Sequence, residues 1–193
     1  LLREVQAGQA RVGRKAYLIP EGGSNGLGAL GYVDAMVEVS EQPRVGLVPE
    51  KFDQVVFACG SGGTAAGIAL GLGATGLAPL AHAIAVCDDR HYFERVVANL
   101  IADARALRPD LGPAVPLRIS DEFQGPGYGV MSAPQKHFLR EVATRTGLVL
   151  DPVYSGKALY ALSQLASKPK RALFIHTGGL PGLLASSTLL DSE

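Results

Sequence analysis

The side chains whose types and order could do chemistry are Ser61, Tyr128, Asp151, Tyr154, Lys157 and His176. Ser61 lies in Cys59-Gly60-Ser61-Gly62-Gly63-Thr64, between an apolar run from Gln54 to Cys59 and a small-residue run from Thr64 to about Leu72. The first run reads as a strand buried on both faces and the second as a helix. Glycine lets the backbone turn sharply and approach a ligand closely. The unsatisfied N–H groups at the helix start, with the positive end of the dipole, favour an anion. Ser61 and Thr64 add hydroxyl donors, so the stretch reads as a phosphate cup.

Other readings compete with the cup. No Gly-Lys-Ser/Thr ends the stretch, so it is not a nucleotide-binding P-loop, and it lacks the full dinucleotide spacing Gly-x-Gly-x-x-Gly. A nucleophile elbow, Gly-x-Ser-x-Gly, fits at Gly63 but meets Cys59 where its first glycine belongs. The order Ser61, Asp151, His176 would suit a hydrolase triad. A tight strand-to-helix turn without a ligand, or a binding module without chemistry, is the plainest alternative. Each side chain also has a bland role. His176 at a strand end reads as structural, Asp151 before Pro152 as a turn residue, and Lys157 on a helix as a solvated charge. Tyr128 between glycines could be an exposed loop aromatic. Tyr154 could pack with its hydroxyl satisfied, and Ser155 could cap a helix.

These groups need elements to hold them. The pattern predicts a helix tail over 3–13, a short strand over 16–20, a loop over 21–26 and a helix over 27–39. A connector covers 41–50, followed by the strand, cup and helix already described. A glycine-rich turn covers 71–79. Strands follow over 81–87, 117–119 and 171–175, with helices over 91–107, 133–146, 155–166 and 183–190. The 91–107 helix keeps Phe93, Val96, Val97, Leu100, Ile101 and Ala104 at helical spacing. Strands alternating with helices predict an open, mostly parallel sheet covered on both faces. Ligands of such sheets sit beyond the carboxyl ends of the strands. The loops at 22–26, 60–64, 125–129 and 176–179 should therefore converge on one crevice.

The bulk numbers agree with an enzyme domain. A chain of 193 residues can bury a real core, and 47% hydrophobic with 19% charged residues is not a disordered composition. Eighteen basic residues balance eighteen acidic ones, which gives no nucleic-acid or membrane surface. Cys59 and Cys87 end apolar runs and read as free buried thiols, favouring a reducing compartment. No span or secretory leader is present, so the cytoplasm is expected, with an organelle left open. No metal is expected.

Five motifs in order carry a resemblance. They are Ile19-Pro20-Glu21-Gly22-Gly23-Ser24-Asn25, Cys59 to Thr64, Gly127-Tyr128-Gly129, Asp151-Pro152-Val153-Tyr154-Ser155-Gly156-Lys157-Ala158, and His176-Thr177-Gly178-Gly179. The chain resembles the D-cysteine desulfhydrase and 1-aminocyclopropane-1-carboxylate deaminase family. These are pyridoxal phosphate enzymes of the tryptophan-synthase β-like fold, fold type II. The resemblance implies pyridoxal 5'-phosphate as cofactor, a small amino-acid substrate and a homodimer. It makes Gly60, Ser61, Gly62, Gly63 and Thr64 the phosphate cup. It makes Tyr128 and Tyr154 the tyrosines beside cofactor and substrate, with Tyr154 the proton-transfer or positioning group. It places Ser155 and Thr177 near the pyridine nitrogen.

One departure stands out. The family's cofactor-bearing lysine sits in a Gly-Gly-Asn-Lys-like motif near the amino terminus, which this sequence lacks. Lys51, after Pro49-Glu50, does not match. The chain also begins Leu1-Leu2-Arg3-Glu4 without methionine. Residues 1–193 are therefore expected to be most of the cofactor domain, without most of the smaller substrate domain, and inactive alone. Ser155 stands where the family's deaminases carry glutamate. A hydroxyl there implies a neutral ring and a weaker electron sink. That favours α,β-elimination of D-cysteine to pyruvate, sulfide and ammonia over cyclopropane opening. Other D-amino-acid lyase reactions of the family remain open.

Overall fold

The computed structural model describes residues 2–46 and 49–185. Its centre is a four-stranded, all-parallel sheet in the order β3-β2-β1-β4. The strands are β1 (Gln54–Cys59), β2 (Ala81–Ala85), β3 (Leu117–Ser120) and β4 (Ala172–Phe174). Every residue of β1 and β2 is buried, as expected of a parallel sheet covered on both faces. In register, Val55 pairs with Ala81 and Leu173, and Ala81 pairs with Leu117.

Side chains alternate between the faces. Val55, Phe57, Cys59, Ala81, Ala83 and Ala85 enter the larger core, with α2 (Gly26–Glu41), α3 (Gly63–Thr75) and α4 (Arg90–Leu107). Val56, Ala58, Ile84 and Val86 meet Ala158 and Ala161 of α6 (Ser155–Gln164) on the other face. Outside α6 lies α5 (Ala133–Thr146), which packs Leu139 against Met131 and Leu150. Each fully buried Leu, Phe or Ile contributes roughly 1.5–3 kcal/mol relative to exposure. The exposed α1 (Leu2–Arg11) buries no residue.

Several boundaries differ from the sequence reading. Residues 16–20 are extended but join no sheet, and Tyr17 and Ile19 are exposed at 73% and 71%. An apolar run without a neighbouring strand cannot complete its hydrogen bonds as a strand. Helix α3 runs through Gly71 and Gly73 to Thr75, where a turn was expected. These helical positions are glycine because of close packing: a Cβ on Gly71 would stand 2.7 Å from Met36 Cβ, and one on Gly73 would overlap the Pro113 carbonyl. The stop comes at Gly76, which takes φ +62. The last helix, α7 (Leu180–Leu184), starts three residues before the expected 183, and 186–190 lie outside the described residues. Among the described residues no helix is long and apolar enough to cross a membrane.

Candidate cofactor site

Strand β1 is flanked by β2 on one side and β4 on the other. The chain leaves β1 for α3, and the sheet reverses direction of growth there. A crevice beyond the carboxyl ends is the expected consequence. A cavity of about 690 Å³ opens at that point. Its walls come from all four expected loops: Gly22 and Ser24, then Gly60, Ser61 and Thr64, then Tyr128, then Thr177 to Gly179. Cys87, Asp88 and Tyr92, after β2, complete one side.

The cup is built by close contacts. Gly62 caps α3 at φ +91, and a Cβ there would press on Val96 at 2.9 Å. Ser24 Oγ donates to Ser61 Oγ at 2.7 Å and accepts the Gly63 N–H at 3.2 Å. The first helix bond beyond the cap runs from Ala66 N to Gly62 O. Among the described residues nothing accepts the Thr64 and Ala65 N–H groups. This unsatisfied turn, with Ser61 and Thr64 on the wall, fits a phosphate by its donors. Ser24 was not singled out from sequence. Its one signal was its place in a glycine-rich loop.

Opposite the cup stands a tyrosine pair. Tyr128 and Tyr154 share a hydroxyl hydrogen bond, with ring centroids 6.2 Å apart at 75°. The bond from Tyr128, then partial burial, pushes the Tyr154 phenol above its ordinary range. Gly60 makes room for this ring, since a Cβ there would stand 2.8 Å from Tyr154 Cε1.

Asp151 is not a simple turn residue. It is 1% exposed and accepts N–H bonds from Val153, Tyr154 and Ser155 at 2.7–2.8 Å, plus the Ser155 hydroxyl. It therefore ties down the turn that leads into α6 and aims Tyr154, the N-cap residue. Ser155 is equally buried, gives its proton to Asp151 and accepts the Asp151 N–H, and it does not line the cavity. Thr177 does line it. Lys157, expected as a solvated charge, is fully buried with Nζ donating to the Gly127 carbonyl at 2.8 Å. Burial lowers its pKa.

The hydrolase reading fails on geometry. Both His176 ring nitrogens are committed to backbone, Nε2 to Val149 O and Nδ1 to Gly178 N, at 3.0 and 3.1 Å. Asp151 is filled by its cap bonds, and Ser61 Oγ pairs with Ser24. No nucleophile–base–carboxylate relay joins the three. Cys59 and Cys87 are free thiols. Burial, then the neighbouring Cys87, pushes Cys59 up to about 12.

A parallel sheet with a helix-start anion cup at its switch point and a tyrosine pair facing it defines a phosphate-bearing cofactor domain. The family model for pyridoxal-phosphate dependent enzymes matches residues 2–178, and the chain belongs to that family. It is 44% identical over 177 residues to the bifunctional D-cysteine desulfhydrase/1-aminocyclopropane-1-carboxylate deaminase, mitochondrial, of Arabidopsis thaliana. That match covers 89% of this chain and 43% of the plant protein. It is 38% identical over 180 residues to a Thermotoga maritima protein named for 1-aminocyclopropane-1-carboxylate deaminase, covering 92% of this chain and 56% of that one. A crystal structure of an ACC deaminase homologue superposes with a TM-score of 0.79 at 36% identity, over 97% of this chain and 57% of that chain. The fold is that of this pyridoxal phosphate neighbour. The chain spans about half the length of the curated relatives it matches.

Proposed function

We propose that the 193 residues are most of the cofactor domain of a lyase acting on D-cysteine. The reaction consumes D-cysteine and water and gives pyruvate, hydrogen sulfide and ammonia. The observation that carries this reading is the single cavity joining the anion cup to the tyrosine pair, with the Thr177 hydroxyl on its wall and the Ser155 hydroxyl off the wall, committed to Asp151. Bound pyridoxal phosphate supplies an electron sink for charge at the substrate's α-carbon. The Thr64 and Ala65 N–H groups, with Ser61 and Thr64 hydroxyls, hold its phosphate. Tyr154 keeps its proton at neutral pH and is suited to deliver it to the departing sulfur. Tyr128 fixes the direction of that hydroxyl. Asp151, the carboxylate bonded to Ser155, already accepts four hydrogen bonds and is not available to hold a ring proton. That favours elimination of a good leaving group over cyclopropane opening.

The alternative is 1-aminocyclopropane-1-carboxylate deamination, a name that relatives carry. Assays of the complete protein separate the two. Pyruvate and sulfide should form from D-cysteine faster than 2-oxobutanoate forms from the cyclopropane substrate, and the reverse order would overturn the proposal. Borohydride reduction with the cofactor, followed by peptide mass mapping, tests the domain reading. The adduct should fall on a lysine outside these residues, and an adduct on Lys51 or Lys157 would refute it. A homodimer and a cytoplasmic or organellar location belong to the same proposal, readable by light scattering and fractionation.

A further inference from the structure

Tyr128 is 59% exposed and sits between Gly127 and Gly129, the latter at φ +72. Its one ring contact is the edge-to-face meeting with Tyr154 itself, so the backbone that carries it must be held by other groups. The loop around it is nevertheless tied at several points. Asp121 accepts the Arg90 N–H, Gln124 donates to Asp88 O, and buried Gln135 donates to Phe123 O. All three lie upstream of Gly125. Two ties meet at Gly127 O beside Tyr128: the Val130 N–H at 3.1 Å, which closes the turn, and Lys157 Nζ at 2.8 Å, which fastens that turn to α6. Lys157 follows Tyr154 by three residues in the first turn of α6. Tyr154 is the N-cap residue of that helix. The start of α6 therefore both presents the Tyr154 hydroxyl and grips the backbone that carries its partner.

We propose that Lys157 is a positioning residue whose bond to the Gly127 carbonyl sets the Tyr128–Tyr154 hydroxyl contact in the cofactor cavity. The role rests on the lyase reading only for its kinetic consequence. Its burial is otherwise hard to account for. A fully buried lysine is costly without a partner, and no described carboxylate makes an ion pair with it. Its lowered pKa agrees with a site where only a carbonyl meets the ammonium, with Cys87 and Asp151 acting from a distance.

The test uses the complete protein, its tyrosines carrying 13C at Cζ, with Tyr128→Phe and Tyr154→Phe assigning the two signals. At about pH 10.5, just above the ordinary phenol value, Tyr154 should stay protonated in the wild type. It should ionise measurably in Tyr128→Phe and in Lys157→Met, which keeps the apolar stem and loses the donor. An unchanged Tyr154 signal in Lys157→Met would overturn the proposal, and this readout needs neither cofactor nor turnover. Kinetics give the second arm. Lys157→Met should lower kcat roughly 10- to 100-fold, and do so much less in a Tyr128→Phe background, because the two act through one contact. Equal losses in both backgrounds would assign Lys157 to the fold alone. Should Lys157→Met fail to fold, acetylation of the native wild type decides. Lys157 should label at least about tenfold more slowly than Lys136, and equal rates would sink the proposal. Absent D-cysteine activity with an intact tyrosine response would fault the substrate reading and leave the positioning role standing.

Discussion

Tyr154 illustrates how one hydroxyl gains a role from its surroundings. Its phenol bonds to Tyr128, its backbone N–H is held by Asp151, and its ring fills the space left by Gly60. The Tyr128 bond and partial desolvation both favour the protonated form. The folded pKa therefore lies above the ordinary 10.0, and the proton stays in place across the neutral range. Tyr154→Phe removes that proton and little packing. It should lower kcat about 100-fold or more, the usual worth of a placed general acid, with cofactor affinity nearly unchanged. Absorbance of bound cofactor against added pyridoxal phosphate, beside turnover, checks both halves. A variant that keeps full turnover would remove Tyr154 from the chemistry. A pH–rate profile should show no phenol titration below about pH 10, because the shift is upward.

At the scale of elements, the start of α6 is the piece that organises the tyrosine side of the cavity. The Asp151 carboxylate takes the N–H groups of Val153, Tyr154 and Ser155, and its carbonyl takes that of Gly156, around the start of α6. Asp151→Ala should cost about 2–4 kcal/mol, a cap plus buried donors left unpaired, measured by urea unfolding. Loss under about 0.5 kcal/mol, the range of ordinary surface changes, would show that water replaces the cap. Legibility in the sequence also divides by element. Helix α5 runs over Ala133–Thr146, as its pattern predicts, because Ser132 and Gln135 form a capping box and Gly147 stops it. The convergence of three loops was legible because strand-helix alternation fixes where loops must meet, whereas the 22–26 loop reaches the cavity with no strand before it among the described residues. The burial of Lys157 and the filled carboxylate of Asp151 were not. Both depend on which carbonyl or N–H the fold brings near, and no periodicity in the sequence records that. Residues 16–20 misled for the same reason, since a strand pattern needs a neighbour to become a strand.

For the molecule as a whole, the sheet stores one acid-sensitive group away from the cavity. His82 lies fully buried in β2, with Nε2 at 3.0 Å from Ser120 Oγ and Nδ1 without a partner among the described residues. Desolvation, then Arg118, lowers its pKa from 6.5 to about 4, with Glu122 opposing. The unfolded chain thus binds this proton more readily than the folded one. Stability from a neutral His82 is fully present above pH 6.5 and is lost as pH falls toward the folded value of about 4. The loss amounts to about 3 kcal/mol over that window, close to 1.4 per pH unit. His82→Gln keeps a polar side chain beside Ser120 and removes the titration. Urea unfolding of the cofactor-free complete protein at several pH values between 4 and 8 should show wild type and variant converging as pH falls, the wild type declining more steeply. Parallel curves would mean that His82 is already charged in the fold, with a water or shifted carboxylate at Nδ1. Because His82 shares its face with Val56 and Ile84 beneath α6, its protonation would loosen the same helix that carries Tyr154 and Lys157. Acid should therefore weaken the tyrosine contact before the anion cup, which rests on the opposite face with α2 and α3.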